Sequence, residues 1–329
     1  MKGSAFFPKL VNIALTTRWN AARHAAGEPM IEEILELGFR HVELGYDTRL
    51  DLVPGVRRMA EEGAVIVDSV HNFCPVPMTA HRGHPEIFTF GHKDRRIREL
   101  AVTHTTETIR FAAELGAKAV VTHCGNIDMP RFSESLLALC EQGQQFTPRY
   151  EKAKLKLQVK REKKARKQIP YWHECLQQLL PVLEQHRVQL AMENLPTWEA
   201  IPTETELETT LQLFQSPWLK YWHDMGHGQI RENMGLINVE RWLERLQPSL
   251  AGMHVHDVLP PGHDHVMPPR GKMDFSRYKR FANLNIIRVI EPTPRTPPDD
   301  IRAAMAYLQE VWGPGNGDQN HKSEERTKA

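Results

Sequence analysis

Apolar and polar positions alternate along the chain in two rhythms. Short, nearly continuous apolar runs, of the kind that strands buried on both faces require, stand at 10–17 (LVNIALTT), 41–47 (HVELGYD), 64–72 (AVIVDSVHN), 119–125 (AVVTHCG), 189–196 (QLAMENLP), 219–227 (LKYWHDMGH), 250–258 (LAGMHVHDV) and 285–294 (NIIRVIEPTP). Between them lie longer segments with apolar residues at helical spacing, such as MIEEILELGF after the first run, RIRELAVTHTTETIRFAAELGA after the third and DDIRAAMAYLQEVW after the last. A charged stretch, 131–168, interrupts the pattern after the fourth run.

Eight strands each followed by a helix is the order of a (β/α)8 TIM barrel. The expectation is a single α/β domain over 8–312 with a charged helical insertion at 131–168, then a polar, disordered tail at 313–329. A doubly wound open sheet is the competing architecture. No GxGxxG or GxxxxGK[ST] follows an early run, so it carries no nucleotide signature.

The polar residues have their own pattern. Each run is apolar at its start and ionisable at its end: Glu43, His71, His123, Glu193, Asp224 with His227, His254 with His256, and Glu291. In a barrel these ends converge on one face, the face that carries active sites. Isolated ionisable groups are costly to bury, so repeated selection there points to a joint purpose. Imidazole and carboxylate together are the mixed ligand set of divalent Zn, Mn, Fe or Co. Glu193 and Glu291 could also act as acid and base across a substrate. For any single position the plainer reading is a hydrogen-bonded core residue.

Composition narrows the partners. Charged residues are 25% and hydrophobic ones 40% of 329, as in folded globular proteins. The formal charge of +1 gives no global attraction to nucleic acid. No run is long enough to span a membrane and no signal-peptide pattern opens the chain. Cys74, Cys124, Cys140 and Cys175 form no CxxC pair and fit reduced thiols in a cytoplasmic protein. Trp172, Trp198 and Trp222 fit either an apolar wall for a sugar or ordinary packing. A homo-oligomer is possible.

MEN at 192–194, HDMGH at 223–227, HVHD at 254–257 and VIEP at 289–292 resemble the xylose-isomerase-like TIM barrels, a superfamily of sugar isomerases and epimerases, dehydratases and endonuclease IV. The resemblance implies a divalent metal (Mn, Zn, Co, Fe or Mg), one to three ions, held by Glu193, Asp224, His254 and Glu291, with His227 from the D-x-x-H motif and Asp257 closing H-x-x-[DE]. His256, two residues after His254, becomes a secondary or substrate contact. The loop 263–275 resembles the family's covering loop, with Arg270 as a substrate contact; Glu43 and Trp222 are candidates of the same kind. The endonuclease IV branch adds ligands that match His71, His123 and His265, while His263 stands where that branch has an acid.

Two functions follow from the resemblance. The first is a metal-dependent sugar or sugar phosphate isomerase or epimerase, in which Glu193 and Glu291 move an α-proton while the metal stabilises the enediolate and His227 orients hydroxyls. The alternative is a metal-dependent phosphodiesterase acting on abasic DNA or another phosphate ester; nucleic acid is a partner only under that reading. The segment KAKLKLQVKREKKARK (152–167) fits phosphate contacts, a lid or a solvated helix face.

Overall fold

The computed structural model describes residues 12–313. Eight parallel strands close into a barrel in the order β1-β10-β7-β6-β5-β4-β3-β2. They are β1 (Ala14–Thr16), β2 (His41–Leu44), β3 (Ile66–His71), β4 (Ala119–Thr122), β5 (Gln189–Glu193), β6 (Leu219–Asp224), β7 (Leu250–Val255) and β10 (Ile287–Ile290); a two-stranded hairpin of β8 (Asp257–Leu259) and β9 (His263–Val266) follows β7. The helices α1 (Gly27–Glu36), α2 (Val53–Glu61), α3 (Arg95–Glu114), α4 (Phe132–Glu141), α5 (Pro148–His186), α6 (Glu204–Phe214), α7 (Met225–Asn233), α8 (Val239–Leu246), α9 (Lys279–Ala282) and α10 (Pro298–Trp312) complete the order. The barrel is the architecture expected from the two rhythms. The tail from 314 onwards, expected to be disordered, lies outside the described residues.

Side chains pointing into the barrel form two layers. The lower one is small and apolar: Ala14, Ala119, Val121, Ala191, Ala251, Ile287 and Val289 surround the fully buried Trp222. Gly252 makes room for that indole, since a Cβ there would fall 2.3 Å from a ring carbon. Two residues beyond Val121, Ala191, Trp222 and Val289, on the same face, the interior becomes ionisable, with His123, Glu193, Asp224 and Glu291.

The charged stretch differs from an inserted lid. It forms α4 and the first half of α5, a single helix of 39 residues that runs on into the segment before β5. Thr147 caps its N-terminus by accepting from Tyr150 N. Its inward positions are buried, among them Leu157, Arg161, Ala165 and Gln168. Arg161 binds the Glu206 carboxylate through two nitrogens at 2.6 and 2.8 Å and donates to the Trp198 and Ala200 carbonyls. Gln168 accepts from Asp128 N at 2.7 Å and donates to Gly91 O at 2.9 Å. The helix therefore fastens the loops after β3, β4 and β5 from outside. Its lysines reach solvent because they lie on the opposite face. Among the described residues no helix is long and apolar enough to cross a membrane.

Candidate metal centre

The upper layer is built around His254. Its Nδ1 lies 3.2 Å from Glu193, 3.3 Å from Glu291 and 3.8 Å from Asp224. Its Nε2 is turned to Glu43 at 3.1 Å, and Ser69 donates to Glu43 at 2.8 Å. A carboxylate behind one imidazole nitrogen, presenting the other to a cluster of acids, is how metal-ligating histidines are oriented. Asn194 holds Asp224 in place, accepting from its backbone N–H at 2.9 Å and donating to its carbonyl at 3.0 Å. Glu193, Asp224, His254 and Glu291 are all buried and each offers a ligand atom within 4.8 Å of the others.

Glu193 has a second set of partners. While Oε1 faces His254, Oε2 lies 3.2 Å from Nε2 of both His71 and His123. His71 donates Nδ1–H to the Asn72 carbonyl at 3.1 Å, which leaves Nε2 for the centre. Nδ1 of His123 is buried without a hydrogen-bond partner. His227 and His265 repeat the pattern, with Nδ1 on the Asn194 carbonyl at 3.0 Å and on the Glu291 carbonyl at 3.1 Å. His265 reaches this position through a left-handed backbone (φ 51°), rare for a residue other than glycine.

The electrostatics follow from burying so many acids together. Burial would raise the Glu193 carboxyl, but the His254 and His123 rings beside it hold it well below the usual range. Glu291 is likewise lowered against burial, by His254, His265 and Arg18. His254 is pushed far up, against burial, by Glu291, Glu43 and Glu193. His265, by contrast, falls to about 4, from burial and from its neighbour His256. Four carboxylates in one buried layer call for cations. With the nitrogen and oxygen donors aimed inward and their far sides anchored, the residues fit divalent metal ions.

The matching family spans residues 31–311 and is the xylose isomerase-like TIM barrel. The chain belongs to that family. A curated relative, an uncharacterized protein of Methanocaldococcus jannaschii, is 23% identical over 280 residues, covering 85% of this chain and 91% of its own. Among solved structures, a D-tagatose 3-epimerase-like protein has a TM-score of 0.64 at 16% identity, covering 91% of this chain and 96% of that one. The 3-keto-D-glucoside 4-epimerase of E. coli has a TM-score of 0.64 at 17% identity, covering 91% and 99%. A probable 3-DHS dehydratase of Bacillus anthracis has 0.62 at 12%, covering 90% and 98%. At these identities the likeness to solved structures is one of fold.

Within this xylose isomerase-like barrel the predicted residues separate. His256 falls in the break between β7 and β8. Its Nε2 binds Asp224 at 3.0 Å and its Nδ1 accepts from His265 N at 3.0 Å, so both nitrogens are engaged. Although close to His227 and His265, it serves to orient Asp224 and the hairpin. Burial opposes its protonation, yet Asp224 raises it to about 9. The loop acid that approaches His227 is Asp264, 3.8 Å from Nε2. His263, one residue earlier, is exposed and is not brought to the centre. Asp257 accepts from Val258, Gly271 and Met273 N–H groups, pinning the covering loop.

Three further expectations meet a different placement. Arg270 is exposed and paired with Asp300, away from the cavity, because its loop turns it outward. Trp222 is fully buried beneath His254, its ring centroid 5.1 Å away, so it is a floor rather than a substrate contact. Glu43 is equally buried and stands behind His254. In their place the cavity, about 270 Å³, is lined by Arg18, Tyr46, His84, Glu86, Asn126 and Arg131 beside the metal-centre residues. Arg18 donates to Glu291 at 3.2 Å. Applying the strand-end rule to the first run would have found Arg18, two residues past β1.

Proposed function

We propose that the protein is a divalent-metal-dependent phosphoester hydrolase acting on a small phosphodiester. The observation that carries this reading is the division of Glu193 between two imidazole sets, Oε1 towards His254 and Oε2 towards His71 and His123. A carboxylate so placed would serve both groups, one oxygen for an ion held with His254 and the other for an ion held with His71 and His123. Glu291 is similarly occupied, with Oε1 on Arg18 and Oε2 on His254.

Ions bound there would supply an activated water and offset charge on the phosphoryl oxygens. The chain's own residues then do the rest. Glu193, Asp224, His254 and Glu291 form the inner cradle, and His71 with His123 form the neighbouring one. His227, His265 and Asp264 are candidates for a third position. Arg18 and Arg131, which line the cavity, would pair with phosphate oxygens. Tyr46, edge-on to His71 with centroids 5.2 Å apart, closes the wall. The net reaction adds a water oxygen to phosphorus and breaks one P–O ester bond; one water proton leaves on the alcohol and the other goes to solvent.

A sugar isomerase or epimerase is the second reading. It is favoured by the placement of Glu193 and Glu291 on the cavity wall and by the epimerase names of the structural neighbours. The two are separated by incubating Mn- or Zn-loaded protein with a phosphodiester panel, abasic duplex included, and with ketoses in deuterated water. The hydrolase reading predicts phosphomonoester release and no deuterium at carbon. Deuterium exchange without ester cleavage would replace it with the isomerase.

A further inference from the structure

The cavity over the metal centre does not end at its rim. Glu86, Asn126 and Arg131 also line a second cavity of about 370 Å³. The partition between the two is thin: Asn126 donates to Glu86 at 2.9 Å, and Glu86 lies 4.0 Å from His123. The outer chamber has a small apolar patch, Ile127 and Met129, among charged and hydrogen-bonding residues that include Thr89, His92, Lys93 and Asp128. Gln168 of α5 and Arg131, just before α4, also line it. Its walls thus come partly from the charged helical segment that the eight-fold pattern does not require.

We infer that this chamber is a subsite for one ester group of the substrate, a ring-sized alcohol with one apolar face and one hydrogen-bonding edge. The inference rests on the hydrolase reading and makes it more specific. A phosphoryl group at the metal centre would carry one ester substituent in the inner cavity and direct the other past Asn126 into the chamber. A free monosaccharide would leave the chamber empty. The built walls also give α4 and the first half of α5 a role: they hold the subsite in shape through the Gln168 contacts to Gly91 and Asp128.

The test compares two chromogenic diesters with one leaving group, bis(p-nitrophenyl) phosphate and methyl p-nitrophenyl phosphate, on metal-loaded protein. Met129→Trp fills the chamber, and Met129→Ala enlarges it. Divided by the ratio of the two diesters' uncatalysed hydrolysis rates, which absorbs the second leaving group and the electron-withdrawing ring, the expected wild-type preference for the two-ring diester in kcat/KM is about ten-fold. It should fall towards one in Met129→Trp and persist in Met129→Ala. Equal use of both diesters by the wild type, or a preference that survives Met129→Trp in a folded protein, would overturn the subsite while leaving the hydrolase standing. Failure to cleave any diester, by protein that binds its metal, would overturn the hydrolase reading and the subsite with it.

Discussion

The two layers of the barrel interior are made by the same strands, two residues apart, and they do opposite work. In the lower layer alanines and valines enclose Trp222, and stability comes from apolar area removed from water. In the upper layer Glu43, Glu193, Asp224 and Glu291 are packed as tightly, and they are held by imidazoles and Arg18. The lower layer stabilises the fold, whereas the upper one draws on that stability to hold acids close together. The contrast explains how a precise site is kept: His254 meets a buried indole in a T-shaped contact and cannot shift without disturbing the core.

The sharpest break of this contrast is Glu193→Ala. In the upper layer it should remove both cradles together, lowering diester hydrolysis by about a thousand-fold or more with loss of bound metal by elemental analysis. Thermal stability measured in chelator should fall, because the ionised Glu193 is held by His254 and His123 and its loss leaves those buried rings without their partner. Trp222→Ala attacks the lower layer instead and should cost roughly 3–5 kcal/mol in urea unfolding. Metal affinity should weaken as well, since His254 loses its floor. Stability unchanged by Trp222→Ala would end the idea of a supporting layer.

A third prediction concerns protons. His223 sits outside the barrel wall, bonded to Tyr221 at 2.6 Å, and burial lowers it to about 4. Its folded value is below its unfolded one near 6.5, so the unfolded chain binds the extra proton first. This histidine's contribution is therefore present above about pH 6.5 and lost as the pH falls towards 4, roughly 3 kcal/mol in all. Urea midpoints of the chelator-treated protein should fall on the acid side, and His223→Gln should flatten that fall. The smallest effect is expected from Lys156→Gln with Lys160→Gln, exposed on α5. Hydrolysis of small diesters should stay within about two-fold. A large fall would assign the lysine face to the substrate.

The strands and the barrel were legible because burial on both faces leaves an apolar run that turns do not imitate. The ionisable strand ends were legible because a barrel gathers them on one face whatever the loops do. Loop geometry was less so. His263 and Asp264 differ by one position in a hairpin whose register the sequence does not print, and only the left-handed His265 backbone shows which side chain turns inward. The charged stretch concealed a helix of 39 residues because its buried face, Leu157, Arg161, Ala165 and Gln168, includes two polar residues paired through tertiary contacts. Arg18 was hidden by position, just past a three-residue strand.

Glu193 would form a bridge between the His254 group and the His71–His123 group, and counting metal tests this most directly. Elemental analysis of the purified, metal-equilibrated protein should find at least two ions per chain, one for each group that shares Glu193. His71→Ala with His123→Ala should remove one ion and leave the His254 group loaded. A single ion per chain in the wild type, unchanged by that double substitution, would contradict the bridge.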